Sequence, residues 1–425
     1  MDYFNYRNGS LHAEDVPVEQ IAAEAGTPCY VYSEATLRRH YELVRDAFDA
    51  VDPLICYSVK ANSSLAIMKL LNGLGSGFDI VSGGELFRAL RIGADPQKIV
   101  YAGVGKTSGE IEYALKSNIL AFNVESANEL AAINRIAGKL GSKAGIALRL
   151  NPDVDPKTHR HTTTGKKENK FGIILDTAED IVNNSDRYEN IELIGLDTHL
   201  GSPINSVEPY VAALRKVLPF IDKARAVGHD IRYLDIGGGF GIEYRGGETA
   251  TPADYAEAII PLVKDSGCRL ILEPGRLIAG NAGILLTRVL YVKESGAKRF
   301  AICDAAMNDL IRPALYDAFH KIWPVQTARP LSECLSAQPG NGFMQVDIVG
   351  PVCESGDFFA KDRVIPDIAE GDLLAVFSAG AYGMTMSSNY NSRPRAPEVI
   401  ASGSEFRITR KRETYQDLID TECDC

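Results

Sequence analysis

Four residue types with chemical use recur at the ends of short apolar runs in this chain. Lys60 closes Tyr57-Ser58-Val59-Lys60-Ala61-Asn62, and His199 lies in Thr198-His199-Leu200-Gly201-Ser202. A lysine drawn into a crowded interior loses basicity, and an amine of near-neutral pKa forms Schiff bases. The plainer reading is a strand-end lysine that snorkels to solvent. An imidazole at such a place stacks on a flat ring, shuttles a proton, or is a satisfied structural histidine. Gly237-Gly238-Gly239-Phe240-Gly241 gives a backbone whose N–H groups can converge on an anion, or a flexible turn. Glu273-Pro274-Gly275-Arg276 places a carboxylate where burial demands a cation, either a protonated ring nitrogen or Arg276 itself. Gly275 leaves room for another N–H to approach the same anion.

Three further groups lie in the last third. Arg312 and Tyr316 are four residues apart and share a face if helical, which suits a carboxylate ligand. In Cys353-Glu354-Ser355-Gly356-Asp357 a thiol can donate a proton and Glu354 can bind an ammonium group. Tyr382, in Ala379-Gly380-Ala381-Tyr382-Gly383, could reach a phosphate. Taken singly, each of these is weak.

The elements that must hold these groups are legible as an alternation. Strand-like runs are Leu54–Val59, Phe78–Val81, Ile99–Tyr101, Ile119–Val124, Gly145–Leu150, Ile191–Thr198, Tyr233–Ile236 and Arg269–Glu273. Helical periodicity fills the gaps, as in Ser64–Leu74, Gly84–Ile92, Ser108–Lys116, Ser126–Leu140, Pro209–Val227 and Pro252–Ser266. Ser108-x-Glu110 and Thr251-Pro252 have the look of helix starts. Eight successive units predict parallel strands with right-handed crossovers, the count that closes a (β/α)8 barrel of roughly 250 residues. An open doubly wound sheet is the rival, although no GxGxxG follows the first strand. After Ala279 the pattern changes to β-like runs separated by Gly, Pro and Asn turns: Ile284–Lys293, Arg299–Asp304, Gln345–Gly350, Leu373–Ser378 and Phe406–Arg410. The expectation is an α/β protein, a TIM barrel over residues 30–280, with a mostly antiparallel β domain of sandwich or Greek-key type. Residues 1–29, with strand-like Tyr3–Tyr6 and a short helix Pro17–Ala25, join 281–425 in that second domain.

Composition excludes several classes. The 425 residues carry 45 Lys+Arg against 56 Asp+Glu, a formal charge of −11, so there is no cationic excess for nucleic acid or an anionic membrane. The N-terminus shows no basic region followed by an apolar run, and no stretch is long enough to span a bilayer. Eight cysteines are too sparse for a disulfide scaffold, and Cys423 and Cys425 read as a reduced tail. A cytoplasmic enzyme is expected.

In combination the motifs resemble the fold-type III pyridoxal-phosphate decarboxylases, in their diaminopimelate branch. They occur in order over essentially the whole chain: YSVKAN, FDIVSGGE, NPDVDPKTHRHTTTGKKENKFG, HLGS, GGGFG, EPGR, RPALY, GPVCESGD and GAYG. The resemblance implies pyridoxal 5′-phosphate held covalently by Lys60, with His199 stacked on its ring and Glu273 on its pyridine nitrogen. Ser202, Gly237, Gly238, Gly239, Gly275 and Arg276 correspond to the phosphate cradle. Arg276, Arg312 and Tyr316 correspond to substrate-carboxylate ligands, Tyr382 to a residue touching cofactor and substrate, and Glu354 to the ligand of the distal amino group. Cys353 resembles the proton donor. Cys353 and Glu354 would come from the other subunit of a homodimer. The implied reaction removes CO2 from meso-2,6-diaminopimelate and leaves L-lysine, and the NPDVDPKTHRHTTTGKKENKFG segment, with Lys166 and Lys167, would form a mobile basic loop over the site. Pro203 stands where glutamine is expected, which touches at most one contact near the phosphate. The rivals are a decarboxylase of ornithine or arginine, whose loop carries Cys-Asp, and a silent regulator, which would lack Lys60 or Cys353. A racemase of barrel-plus-β build would lack the CES loop. No metal is expected, because only His159, His161 and His199 could serve as ligands and two lie on a loop.

Overall fold

The computed structural model describes residues 3–155, 169–247 and 249–423. His159, His161 and the Lys166-Lys167 pair lie outside the described residues, as does Cys425. The chain divides into two compact units, His40–Ile242 with Glu248–Leu277, and Met1–Arg39 with Glu243–Gly247 and Ile278–Cys425.

The first unit is a closed barrel of eight parallel strands. In chain order these are Leu54–Ser58, Gly77–Ile80, Ile99–Tyr101, Ala121–Val124, Ala144–Asn151, Ile191–Asp197, Tyr233–Asp235 and Arg269–Leu272. Each pairs with the next, the eighth pairs with the first, and the two-residue strand Ile173–Ile174 adds to the fifth. The strands read as continuous apolar runs because both faces are covered, by helices outside and by neighbouring strands' side chains inside. Leu54, Val100, Ala121, Ile194 and Ile271, from five strands, pack into one buried cluster. Helix starts are fixed by caps. Thr251 and Asp254 form a reciprocal box at Pro252–Val263, and Thr107 with Glu110 does the same at Ser108–Lys116. The cap at Ser108–Lys116 is therefore Thr107, with Ser108 already inside the helix.

The second unit holds a three-stranded sheet of Phe4–Arg7, Ser10–Ala13 and Val16–Pro17, and a nine-stranded mixed sheet. In the larger sheet Gly283–Ser295 is the organising strand, pairing antiparallel with Lys298–Cys303, Leu373–Val376 and Cys29–Ser33. Two pairings are parallel, Lys298–Cys303 with Phe343–Val349 and Glu398–Ser402 with Cys29–Ser33. Cys29–Ser33 thus belongs here and not to the barrel that the sequence reading starts at residue 30. It is buried at all five positions, so it shows no alternation to mark its sheet. Among the described residues, no helix is long and apolar enough to cross a membrane.

Candidate active site

In a parallel barrel the C-terminal strand ends converge on one rim, and polar groups there are aimed by the strands themselves. Lys60 lies in the turn Val59–Ala61 after the first strand, and its Nζ is paired with the Asp79 carboxylate of the second. Ser58 Oγ also donates to Asp79 Oδ2, at 2.6 Å. His199 follows the sixth strand, Gly237–Gly239 the seventh, and Glu273 the eighth.

Around them stands a buried polar set whose members the sequence analysis did not single out as site residues. Asp79, Asn123, Arg149, Asp197 and Asp235 stand in mostly apolar strands, and none is more than 7% exposed. Asn123 Nδ2 donates to Asp235 Oδ2 (3.2 Å) and Glu273 Oε1 (3.4 Å). Arg149 pairs with Glu125 at 2.7 Å and lies 3.8 Å from Asp197. Carboxylates outnumber cations in this set. Burial first, and mutual repulsion second, push Asp197 and Glu273 well above the ordinary carboxylate range. Asp235 is pushed up to about 6, by burial above all.

His199 is neutral, because burial and then Arg149 and Lys60 hold its imidazole well below the usual value. The 3.8 Å approach of its Nδ1 to Glu273 Oε2 is therefore not an ion pair. Nδ1 accepts from the Gly238 N–H at 3.2 Å, which assigns the ring proton to Nε2.

The glycine triplet works chiefly by admitting close backbone approach. A Cβ on Gly238 would stand 2.0 Å from the Glu273 carbonyl oxygen, and one on Gly239 2.2 Å from that of Gly201. Gly237 donates to Asp235 Oδ1 at 2.8 Å and Gly238 to His199, so these two amides already hold protein partners. That narrows the sequence expectation that all three serve as a cradle: Gly239 alone of the three has an amide that no described hydrogen bond uses. Arg276 Nε donates to Ser202 Oγ at 3.2 Å and ties the loop after the sixth strand to that after the eighth.

The second unit carries the other candidates. Arg312–Tyr316 is one helical turn, so Arg312 and Tyr316 do share a face. Arg312 is buried. Cys353 and Glu354 are exposed on a loop anchored by buried Asp357, whose carboxylate accepts from Val352 N and Met307 N, both at 2.7 Å. Glu354 Oε2 accepts from the Tyr390 hydroxyl at 2.6 Å. Tyr382 has φ 58°, a left-handed conformation that a bulky residue keeps only under constraint.

The barrel fits pyridoxal phosphate. Asp79 Oδ1, Asn123 Oδ1, Asp197 Oδ1 and Thr198 Oγ1 are buried without a hydrogen-bond partner among the described residues. Orphan acceptors and surplus carboxylates suit a ligand that brings a protonated ring nitrogen, and Lys60 offers the amine.

Residues 34–280 match the family model for the pyridoxal-binding domain of pyridoxal-dependent decarboxylases, which defines the class of enzyme. A diaminopimelate decarboxylase of Aquifex aeolicus is 47% identical over 99% of this chain and 98% of the relative. One of Pseudomonas aeruginosa is 49% identical over 98% of each. The crystal structure of diaminopimelate decarboxylase from Helicobacter pylori, complexed with L-lysine, superposes with TM-score 0.89 at 41% identity, covering 95% of this chain and 99% of that one. The crystal structure of diaminopimelate decarboxylase from M. jannaschi gives TM-score 0.92 at 37% identity, covering 100% of this chain and 98% of that one. The chain belongs to the diaminopimelate decarboxylase family.

Proposed function

We propose that this enzyme removes CO2 from meso-2,6-diaminopimelate and releases L-lysine, the last step of lysine synthesis, using pyridoxal 5′-phosphate. The observation that carries the reading is the barrel rim itself: an amine, Lys60, beside a carboxylate surplus centred on Glu273. When bound, the cofactor supplies an electron sink for the pair left on Cα as CO2 departs. Lys60 Nζ would hold it covalently. Glu273 would keep a proton on its ring nitrogen, since an adjacent anion favours the cationic form. His199, neutral, offers a flat ring face. Ser202, Gly239, Gly275 and Arg276 would bind the phosphate.

For the substrate, Arg276, Arg312 and Tyr316 take carboxylates, Glu354 takes the distal ammonium, and Tyr382 contacts cofactor and substrate. Cys353 Sγ delivers a proton to Cα. Diaminopimelate carries both charge signs at its far end, so it needs cations as well as Glu354. Ornithine would leave a buried arginine unanswered. The exposure of Cys353 and Glu354 supports their serving the site of a second copy in a homodimer, with the barrel binding cofactor and the β unit contributing substrate contacts and interface. We place the enzyme in the cytoplasm.

The test is CO2 release from meso-diaminopimelate, ornithine and arginine side by side. Preference for diaminopimelate is expected, and a faster reaction with ornithine or arginine would overturn the substrate assignment.

A further inference from the structure

We propose that His320 is the positioning residue for Arg312, and that it acts as a neutral hydrogen-bond acceptor which sets the direction of that guanidinium toward a substrate carboxylate. The proposal rests on the reading of Arg312 as a substrate ligand.

His320 is fully buried, and each ring nitrogen has a described partner. Nδ1 lies 2.8 Å from the Phe377 carbonyl oxygen. A carbonyl can only accept, so Nδ1 carries the proton. Nε2 lies 2.8 Å from Arg312 Nη1. A guanidinium can only donate, so Nε2 is an unprotonated acceptor. The two contacts are compatible with one protonation state only, the neutral Nδ1–H form. The contact therefore orients Arg312 without placing a negative charge against it.

The histidine is itself held on two sides. Its own carbonyl accepts from Arg363 Nη1 at 2.8 Å. Its ring stands edge-on to Tyr244, with centroids 5.7 Å apart and planes at 85°. The same Tyr244 ring lies under the Arg312 guanidinium, 5.0 Å from centroid to Cζ. One nitrogen of the fork is thus fixed by His320 and its plane by Tyr244. A planar fork held by one nitrogen keeps its remaining donors in a fixed direction, which is what two-pronged carboxylate binding requires.

Two amide substitutions separate the two contacts. His320→Gln can return an acceptor at the Nε2 position, whereas His320→Asn reaches only the Nδ1 position and keeps the Phe377 contact. Steady-state kinetics with diaminopimelate on the cofactor-loaded enzyme, beside thermal melting, should show KM raised roughly ten-fold or more in His320→Asn, with kcat changed much less. His320→Gln should restore most of that loss, and both variants should melt together. Equal KM values for the two amides, or a parental KM in His320→Asn, overturn the proposal. Arg312→Ala is run alongside. If it leaves KM unchanged, the reading of Arg312 itself fails. If it raises KM while His320→Asn does not, only the positioning role of His320 is lost.

Discussion

The barrel rim and the Cys353–Asp357 loop of the second unit place their reactive groups under opposite conditions. At the barrel rim Lys60, His199, Asp235 and Glu273 belong to one mesh of hydrogen bonds and charges, anchored to strands that cannot move apart without opening the barrel. In the β unit Cys353 and Glu354 are exposed on a loop, between buried Val352 and buried Asp357. The rim is suited to a permanent ligand of one shape. The loop is suited to a transient one, and can change its side chains without disturbing a core. Chemistry common to many amino acids would be housed in the first, and discrimination among them in the second.

The deepest break in this contrast is Lys60→Ala. Turnover should fall by several orders of magnitude, with loss of the covalently held cofactor's visible absorbance; a persisting band would show that another amine holds it. Cys353→Ala should lower turnover about a hundred- to ten-thousand-fold, the span for a general acid, while cofactor binding stays parental in an absorbance titration. Mixing the two inactive variants should return part of the activity if sites are shared between copies, and no return argues for a one-chain site.

A smaller effect concerns stability of the cofactor-free barrel. Asp235 is raised from 3.8 to about 6. What it contributes to folding is fully present below the unfolded value and is lost as pH rises through about 6. Asp235→Asn should therefore melt a few degrees above the parent at pH 7.5 (roughly, by the size scaling of melting shifts), and the gap should narrow as pH falls through about 6 and close only below 3.8. A gap that grows on acidification would contradict the sign. The smallest effect is expected on the loop: Tyr390→Phe removes an exposed hydrogen bond to Glu354 and should raise KM about two- to five-fold. A larger rise would mean the loop is less open than its exposure implies.

The barrel was legible in the sequence because strands covered on both faces read as apolar runs, and the eight runs matched the eight strands to within a few residues. The same feature hid half the rim. A lone Asp79 or Asn123 inside an apolar run looks like an interruption, and only barrel closure sets it beside residues far off in sequence, as Asn123 stands beside Glu273. The glycine run after the seventh strand read as an anion-binding backbone or a flexible turn, but which amides remain available depends on Asp235 and His199, which no spacing rule connects. Cys29–Ser33 was missed for want of alternation, and Thr107 was displaced by one residue as a cap. His320 belongs to no motif, and its role emerges only where Phe377 and Arg312 meet it.

The open sheet of the second unit has a consequence for how the protein keeps to itself in concentrated solution. A closed barrel offers no free backbone edge, but the larger sheet ends in Phe358–Pro366 on one side and Glu405–Arg410 on the other. Such edges are templates for runaway strand addition. Here one bears Lys361, Asp362 and Arg363 in succession, and the other Glu405, Arg407 and Arg410. An incoming strand would have to desolvate a mixed row of charges along either of these strands, so fibre-like growth is discouraged at both.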